Sequence, residues 1–350
     1  MVEYHISQIF YSDKKANQQV DNLLAKEGIQ RDRNLDYTCG IYTNDDTLVA
    51  SGSCYYSSLR CIAIDSDYQG EGLMNQLISH LINFQFERGF VHLFVYTKID
   101  TAKFFLDLGF YQIATVGNQL VFLENKKDGF TSYLQTLRQN SPKSKNKKIA
   151  AIVMNANPFT LGHQYLIEQS LKENDYLHLF IVNDDSSLVP FEIRKKLIIA
   201  GTKQFNNIYY HQTDSYIISR STFPSYFLKD EEKVIRTQAE LDIEIFIQIA
   251  QTLGISARFI GEEPFSQVTN IYNEVMIQTL QQFGIDCIVV PRKKIAGEVI
   301  SASTVRLAIQ QDNFQLLKKY VPQSTFDYFN SDEAQSTIKK IKASVDVIHY

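Results

Sequence analysis

Apolar and polar positions follow two regimes along this chain, and the change falls between residues 125 and 149. After that point short apolar runs alternate with segments of helical spacing. Residues 149–154, 177–182, 208–211, 257–260 and 286–290 predict strands. Residues 164–172, 191–203, 240–253, 270–283 and 301–311 predict helices, and the stretch from Phe314 predicts accessory helices. Near-continuous apolar strands alternating with helices describe βαβ units and a parallel sheet covered on both faces.

Before residue 126 the pattern is mixed. A hairpin is expected over 41–42 and 47–51, joined through Asn44-Asp45-Asp46. Further strands are expected at 59–64 and 91–96, with a final pair at 111–114 and 119–124. Leu73, Leu77, Leu81 and Phe84 recur at helical spacing, so 72–86 predicts a helix. A shorter helix over 102–108 is stopped by Gly109. The run Asn140-Ser-Pro-Lys-Ser-Lys-Asn-Lys-Lys148 cannot bury a face and reads as linker. The expected organisation is an α+β domain over 1–125, a linker over 126–148, and a Rossmann-like doubly wound domain over 149–350.

Composition narrows the function. At 350 residues, 44% hydrophobic and 21% charged, the chain is an ordinary globular sequence with room for about two domains. The formal net charge of −4 gives no basic excess, so neither nucleic acid nor a membrane surface is an expected partner. No apolar run approaches the roughly 20 residues of a membrane helix. The first residues, MVEYHISQIFY, lack the basic and apolar regions of a signal peptide. Cys39, Cys54, Cys61 and Cys287 form no CxxC pair, so reduced thiols and a cytoplasmic setting are expected.

The loop after the strand at 149–154 reads Asn155-Ala-Asn-Pro-Phe-Thr-Leu-Gly-His163 and leads into a helix. Ligands of open α/β sheets bind beyond the carboxyl ends of strands. A helix start there offers unpaired N–H groups and a positive dipole end, which attract phosphate. Thr160 and His163 are three apart and share a helix face. Gly162 lets backbone approach a ligand closely. Asn155, Asn157, Pro158 and Phe159 complete the candidate nucleotide loop. A second helix start, Ile300-Ser-Ala-Ser-Thr-Val-Arg306, supplies Ser301, Ala302, Ser303 and Thr304 for a further phosphate region and Arg306 as a fixed charge.

Together these two motifs resemble the nucleotidyltransferase superfamily, which transfers a nucleotidyl group from a nucleoside triphosphate. The usual His-x-Gly-His is here Thr160-Leu-Gly-His163, as in the phosphopantetheine adenylyltransferase branch, with one motif histidine. The resemblance implies His163, Thr160 and Arg306 as catalytic residues. Gly261, in Gly261-Glu-Glu-Pro264, sits where adenine or ribose contacts belong. Tyr272, Asn273, Arg194 and Arg292 are lesser candidates, the arginines either as phosphate ligands or as surface ion pairs.

In the first domain another strand-loop-helix start reads Gln69-Gly70-Glu71-Gly72-Leu73-Met74. Its backbone N–H groups form a nest for a pyrophosphate. It resembles the acyl-CoA loop of the GNAT acetyltransferase superfamily, with Met74 in place of the usual small residue. Ala102-Lys-Phe-Phe-Leu-Asp-Leu-Gly-Phe110 resembles a second segment of that superfamily.

The order of the two domains, at this length, resembles the citrate lyase ligase family, as does Val189-Pro-Phe-Glu-Ile-Arg194. The resemblance implies an AMP-forming acid–thiol ligase using ATP with Mg²⁺. Acetate would form acetyl-adenylate. The acetyl group would then pass to the thiol of a CoA-like group on the acyl carrier subunit of citrate lyase. Two other readings stay open. One is an adenylyltransferase making a dinucleotide or CoA precursor, with a fused acetyltransferase. The other is a CoA- and nucleotide-binding module without catalysis.

Overall fold

The computed structural model describes residues 3–32, 34–142, 146–183, 187–217, 223, 231–262 and 267–345. The chain divides into two compact units, residues 1–132 with 224–244 and residues 133–223 with 245–350.

The first unit holds β1 (His5–Gln8), α1 (Lys14–Lys26), β2 (Tyr37–Tyr42), β3 (Leu48–Tyr55), β4 (Ser58–Ile64), α2 (Leu73–Glu87), β5 (Phe94–Thr97), α3 (Ile99–Asp107), β6 (Tyr111–Val116) and β7 (Leu120–Glu124). Its seven strands run in the order β1-β2-β3-β4-β5-β7-β6. All pairs are antiparallel except β4–β5, which is parallel and registered only at Ser58↔Phe94 and Leu59↔Val95. Leu77 and Leu81 of α2 pack on β3 at Gly52, where a Cβ would fall 2.8 Å from Leu81 Cδ1. The missing side chain therefore sets how close the helix lies. With Leu59, Phe105 and Phe110 these leucines belong to the core of the unit.

Helix α1 was not legible in the pattern. It begins at Asp13, whose side chain accepts from Ala16 N at 2.9 Å, and it buries Val20, Leu23 and Leu24. The stretch expected as linker contains a helix, α4 (Gly129–Gln139). Phe130, Tyr133 and Leu137 recur there at helical spacing and are buried. The unit boundaries fall inside α4 and inside α7 (Glu231–Leu253), so both differ from the sequence-based division. Of the lysine-rich run, residues 143–145 lie outside the described residues.

The second unit holds the remaining strands and helices. They are β8 (Ile149–Met154), α5 (Leu161–Lys172), β9 (Tyr176–Ile181), α6 (Phe191–Gly201), β10 (Ile208–Gln212), β11 (Ala257–Gly261), α8 (Gln267–Gln282) and β12 (Asp286–Val290). A short hairpin, β13 (Lys294–Ile295) and β14 (Glu298–Val299), follows, then α9 (Ala302–Gln310), α10 (Phe314–Tyr320), α11 (Gln323–Phe329) and α12 (Gln335–Ala343). The sheet order is β10-β9-β8-β11-β12 and every pair is parallel, as the alternation of apolar runs and helices predicts. Topology reverses at β8, which is followed by the first phosphate-loop candidate; ligands of such sheets bind at this switch point. The accessory helices are part of the core: Tyr320, Phe329 and Ile341 pack with Ile152, Leu179 and Val305.

Candidate active site

Strand β8 delivers the chain to residue 155 at the carboxyl edge of the sheet. Ala156 then takes a left-handed φ of 50°, and the Asn157–Pro158 bond is cis. Asn157, Pro158, Phe159 and Thr160 are all buried, so this part of the loop offers a ligand its backbone rather than its side chains. Phe159 lies against Gly201, where a Cβ would fall 2.6 Å from its ring. Its other neighbour is the His163 ring, stacked at 5.8 Å and 15°.

Thr160 caps α5, and the cap fixes the chemistry of His163. The Thr160 hydroxyl oxygen accepts from His163 N at 3.3 Å, and Thr160 N–H donates to His163 Nδ1 at 3.0 Å. Thr160 Oγ1 lies 2.9 Å from the same Nδ1. This is a reciprocal capping box with histidine in the position usually held by glutamate or glutamine. Because Nδ1 accepts a backbone N–H, the neutral ring carries its proton on Nε2. Burial, with a further push from the Arg292 charge, lowers the His163 pKa to about 4. At neutral pH the ring is therefore an uncharged Nε2–H donor. Thr160 was expected at the phosphates; the structure places it behind the histidine, as its holder.

The second motif reaches the same place from 138 positions further on. The β13–β14 hairpin turns through Ala296 and Gly297, with φ of 52° and 83°, the pair of left-handed residues a two-residue turn requires. Ser301 then caps α9, accepting from Thr304 N at 3.0 Å. Its hydroxyl also lies 2.8 Å from Ser303 Oγ and 2.7 Å from Thr304 Oγ1. A Cβ on Gly162 would fall 3.3 Å from the Ile300 carbonyl oxygen. The two helix starts are thus packed side by side, and glycine is what lets them meet. Ser301, Ala302, Ser303 and Thr304 are half-buried beside Gly162.

Arg194, expected as a phosphate ligand or a surface ion pair, and Arg306, expected as a fixed charge at the second phosphate region, are both buried. Arg194 is wholly buried and donates to the carbonyls of Val189 at 3.0 Å, Asn155 at 2.7 Å and Val182 at 3.0 Å. Arg306, 2% exposed, donates to the Asn157 carbonyl at 2.6 Å. Side chains complete the frame: Asn157 Oδ1 accepts from Val189 N at 3.0 Å, and Asn155 Nδ2 donates to Ser187 Oγ at 2.9 Å. Lys340 of α12 donates to the Ser187 carbonyl at 2.9 Å. Sequence spacing could not show the arginine clamps, because they close on backbone carbonyls.

Arg292 remains at the site, its Nε donating to the Glu262 carbonyl at 2.7 Å. Gly261 ends β11, and among the described residues no atom lies within 4 Å of a Cβ position there. Glu263 and Pro264 of the same segment lie outside the described residues. Tyr272 and Asn273 are half-buried on α8.

The first unit contains a cavity of about 440 Å³. Beyond Leu59 and Val95 the recorded β4–β5 pairing stops, and the cavity lies where the strands part, between Ile62–Ile64 and Tyr96–Thr97. Its third wall is the start of α2. Gly70 and Gly72 have φ of 90° and 78°, and α2 has no side-chain cap, so its first N–H groups are unspent. Gln69, Gly70, Gly72, Leu73 and Met74 line the cavity. Glu71 does not; its carboxylate accepts from the Tyr4 hydroxyl. The four cysteines are free thiols, and burial pushes Cys39 and Cys61 up to about 12, far from a reactive thiolate. Among the described residues no cluster of three or more metal-ligating side chains occurs, and no helix is long and apolar enough to cross a membrane.

Residues 149–329 match the citrate lyase ligase C-terminal domain, and residues 4–110 match the acetyltransferase (GNAT) family. Three relatives share 36% identity, each described as a [citrate [pro-3S]-lyase] ligase. That of Haemophilus influenzae aligns over 91% of this chain and 96% of its own length. Those of Escherichia coli and Klebsiella pneumoniae align over 86% and 90% of this chain, and 88% and 93% of their own. A fold that joins a GNAT-type first unit to a parallel-sheet second unit, matched over nearly its whole length, shows that the chain belongs to the citrate lyase ligase family and is a ligase.

Proposed function

We propose that the chain activates citrate lyase by acetylating it, in two steps. An acetate oxygen attacks the α-phosphorus of ATP, the bond to the β-phosphate oxygen breaks, and pyrophosphate leaves with that electron pair. The thiol of a CoA-like group on the acyl carrier subunit of the lyase then takes the acetyl group and releases AMP. Acetate is ionised at neutral pH, so the first step requires charge stabilisation and alignment rather than a general base.

The observation that carries this reading is the pairing of two helix starts at Gly162 and Ile300 with a neutral Nε2–H donor beside them. His163 Nε2–H follows the α-phosphate through the displacement, and Thr160 holds its tautomer. The hydroxyls of Ser301, Ser303 and Thr304 and the α9 N–H groups receive the triphosphate tail, which arrives with Mg²⁺. Arg194 and Arg306 keep the loop carbonyls of Asn155 and Asn157 turned away from that negative charge. The cavity at Gln69–Met74 receives the pyrophosphate and pantetheine portions of the carrier's prosthetic group. The attacking sulfur is the partner's, in keeping with the inert cysteines, and the setting is cytoplasmic.

ATP–pyrophosphate exchange tests the first step. Exchange that requires acetate is expected, with Mg²⁺ present, and repeated with the carrier bound if it fails without it. Pyrophosphate release that requires a phosphate monoester in place of acetate would favour precursor synthesis. Tight ATP binding with no exchange under any condition would leave a binding module.

A further inference from the structure

A third cation stands at the junction of the two helix starts. Lys293 leads into the β13–β14 hairpin, and its carbonyl accepts from Ile300 N at 3.1 Å. Its backbone therefore lies beside the residue that packs on Gly162. Its half-buried side chain runs to Tyr165, with Nζ 5.7 Å from the ring centroid. Tyr165 is three residues after Gly162, so both lie on the face of α5 that meets Ile300.

Among the described residues no carboxylate pairs with the Lys293 ammonium. Glu298, the acid of the hairpin, is engaged by the Tyr320 hydroxyl and lies 3.6 Å from Lys319. His163 is neutral, and both helices present their positive ends. Such a concentration of positive potential is stabilised by an anion. A tyrosine face holds an ammonium more weakly than a charge-assisted hydrogen bond to phosphate does.

We propose that Lys293 is the residue that binds the departing pyrophosphate. Without nucleotide it rests on Tyr165; with ATP bound it moves onto the β- and γ-phosphate oxygens. This rests on the adenylating reading above and adds a role to it. As the bond between the α-phosphorus and the bridging oxygen breaks, charge accumulates on the pyrophosphate, and the ammonium meets that charge where it develops.

Lys293→Met keeps the aliphatic stem on Tyr165 and removes only the charge, while Lys293→Arg restores it. Acetate-dependent ATP–pyrophosphate exchange and calorimetric titration with inorganic pyrophosphate read both variants. The expected result for Lys293→Met is a KM for pyrophosphate raised about tenfold or more and an exchange rate lower by on the order of 10²-fold. The KM for acetate and the thermal midpoint stay unchanged, and arginine recovers most of the loss. Wild-type exchange matched by Lys293→Met in rate and in KM overturns the inference and leaves the ligase reading standing. A wild-type protein without exchange, even with the carrier, defeats the adenylating reading instead. Pyrophosphate affinity then decides Lys293: about tenfold weaker binding in Lys293→Met upholds it as a phosphate ligand, and equal affinity removes it.

Discussion

The guanidinium of Arg306 donates to the carbonyl oxygen of Asn157 at 2.6 Å, joining positions 149 apart in sequence. The second motif thus holds the first in shape. Arg306→Met removes a buried donor and leaves a buried carbonyl unsatisfied, which costs about 1–3 kcal/mol. The denaturation midpoint should fall, and the KM for ATP should rise with it. A variant with full stability and an unchanged KM would show that the brace is dispensable.

His163→Ala should lower acetate-dependent exchange by on the order of 10²–10³, with a modest fall in thermal midpoint because the buried Thr160 N–H loses its acceptor, at about 1–3 kcal/mol. Thr160→Ala should cost about 1 kcal/mol as a lost cap and reduce exchange less, because the Thr160 backbone N–H still sets the tautomer. Nitrogen NMR of the histidine side chains gives an independent reading. His163 should appear as the Nε2–H form from pH 8 to pH 5; an Nδ1–H form would contradict the cap geometry.

Acid should destabilise the fold through its histidines. His178 and His211 share a hydrogen bond of 2.8 Å on neighbouring strands of the second unit. Burial lowers them to about 3 and about 4, the neighbouring imidazole adding to the shift for His178, and His163 also falls to about 4. An unfolded histidine titrates near ~6.5. All three folded values are depressed, so the unfolded chain binds more protons below that pH. Stability is fully present above ~6.5 and is lost as the pH falls toward 4. Urea midpoints between pH 7.5 and pH 5 should show this slope, and replacing His178 and His211 together by phenylalanine and leucine should flatten it. An unaltered slope would assign the acid sensitivity to other groups.

Filling the cavity of the first unit should separate the two half-reactions. Met74→Trp places a larger ring at the start of α2. Acetylation of the carrier should slow with a KM raised about tenfold, one to two kcal/mol of lost binding, while acetate-dependent exchange continues at the wild-type rate. Equal loss of both activities would mean that the cavity serves the adenylating step.

The periodic parts of the fold were legible in the sequence. Strands at 149–154 and 286–290 match the structure, because short, largely apolar runs of five or six residues suit a strand better than a helix. Helix α4 hid beside lysines and among polar residues, with Phe130, Tyr133, Leu134 and Leu137 to mark it. The β13–β14 hairpin hid because its strands are two residues long. The site was half legible. His163, Gly162 and the serines announce themselves at helix starts. Burial of Arg194 and Arg306 does not follow from spacing, since each donates to main-chain carbonyls of segments far off in sequence.

The Thr160–His163 cap has a consequence for how this protein can change. Glutamate or glutamine at position 163 would close the same capping box in its usual form. A library screened for thermal resistance alone should therefore enrich acidic or amide side chains at this position and discard turnover unnoticed. On the proposed chemistry, selection for folding and selection for catalysis pull in opposite directions on this single side chain.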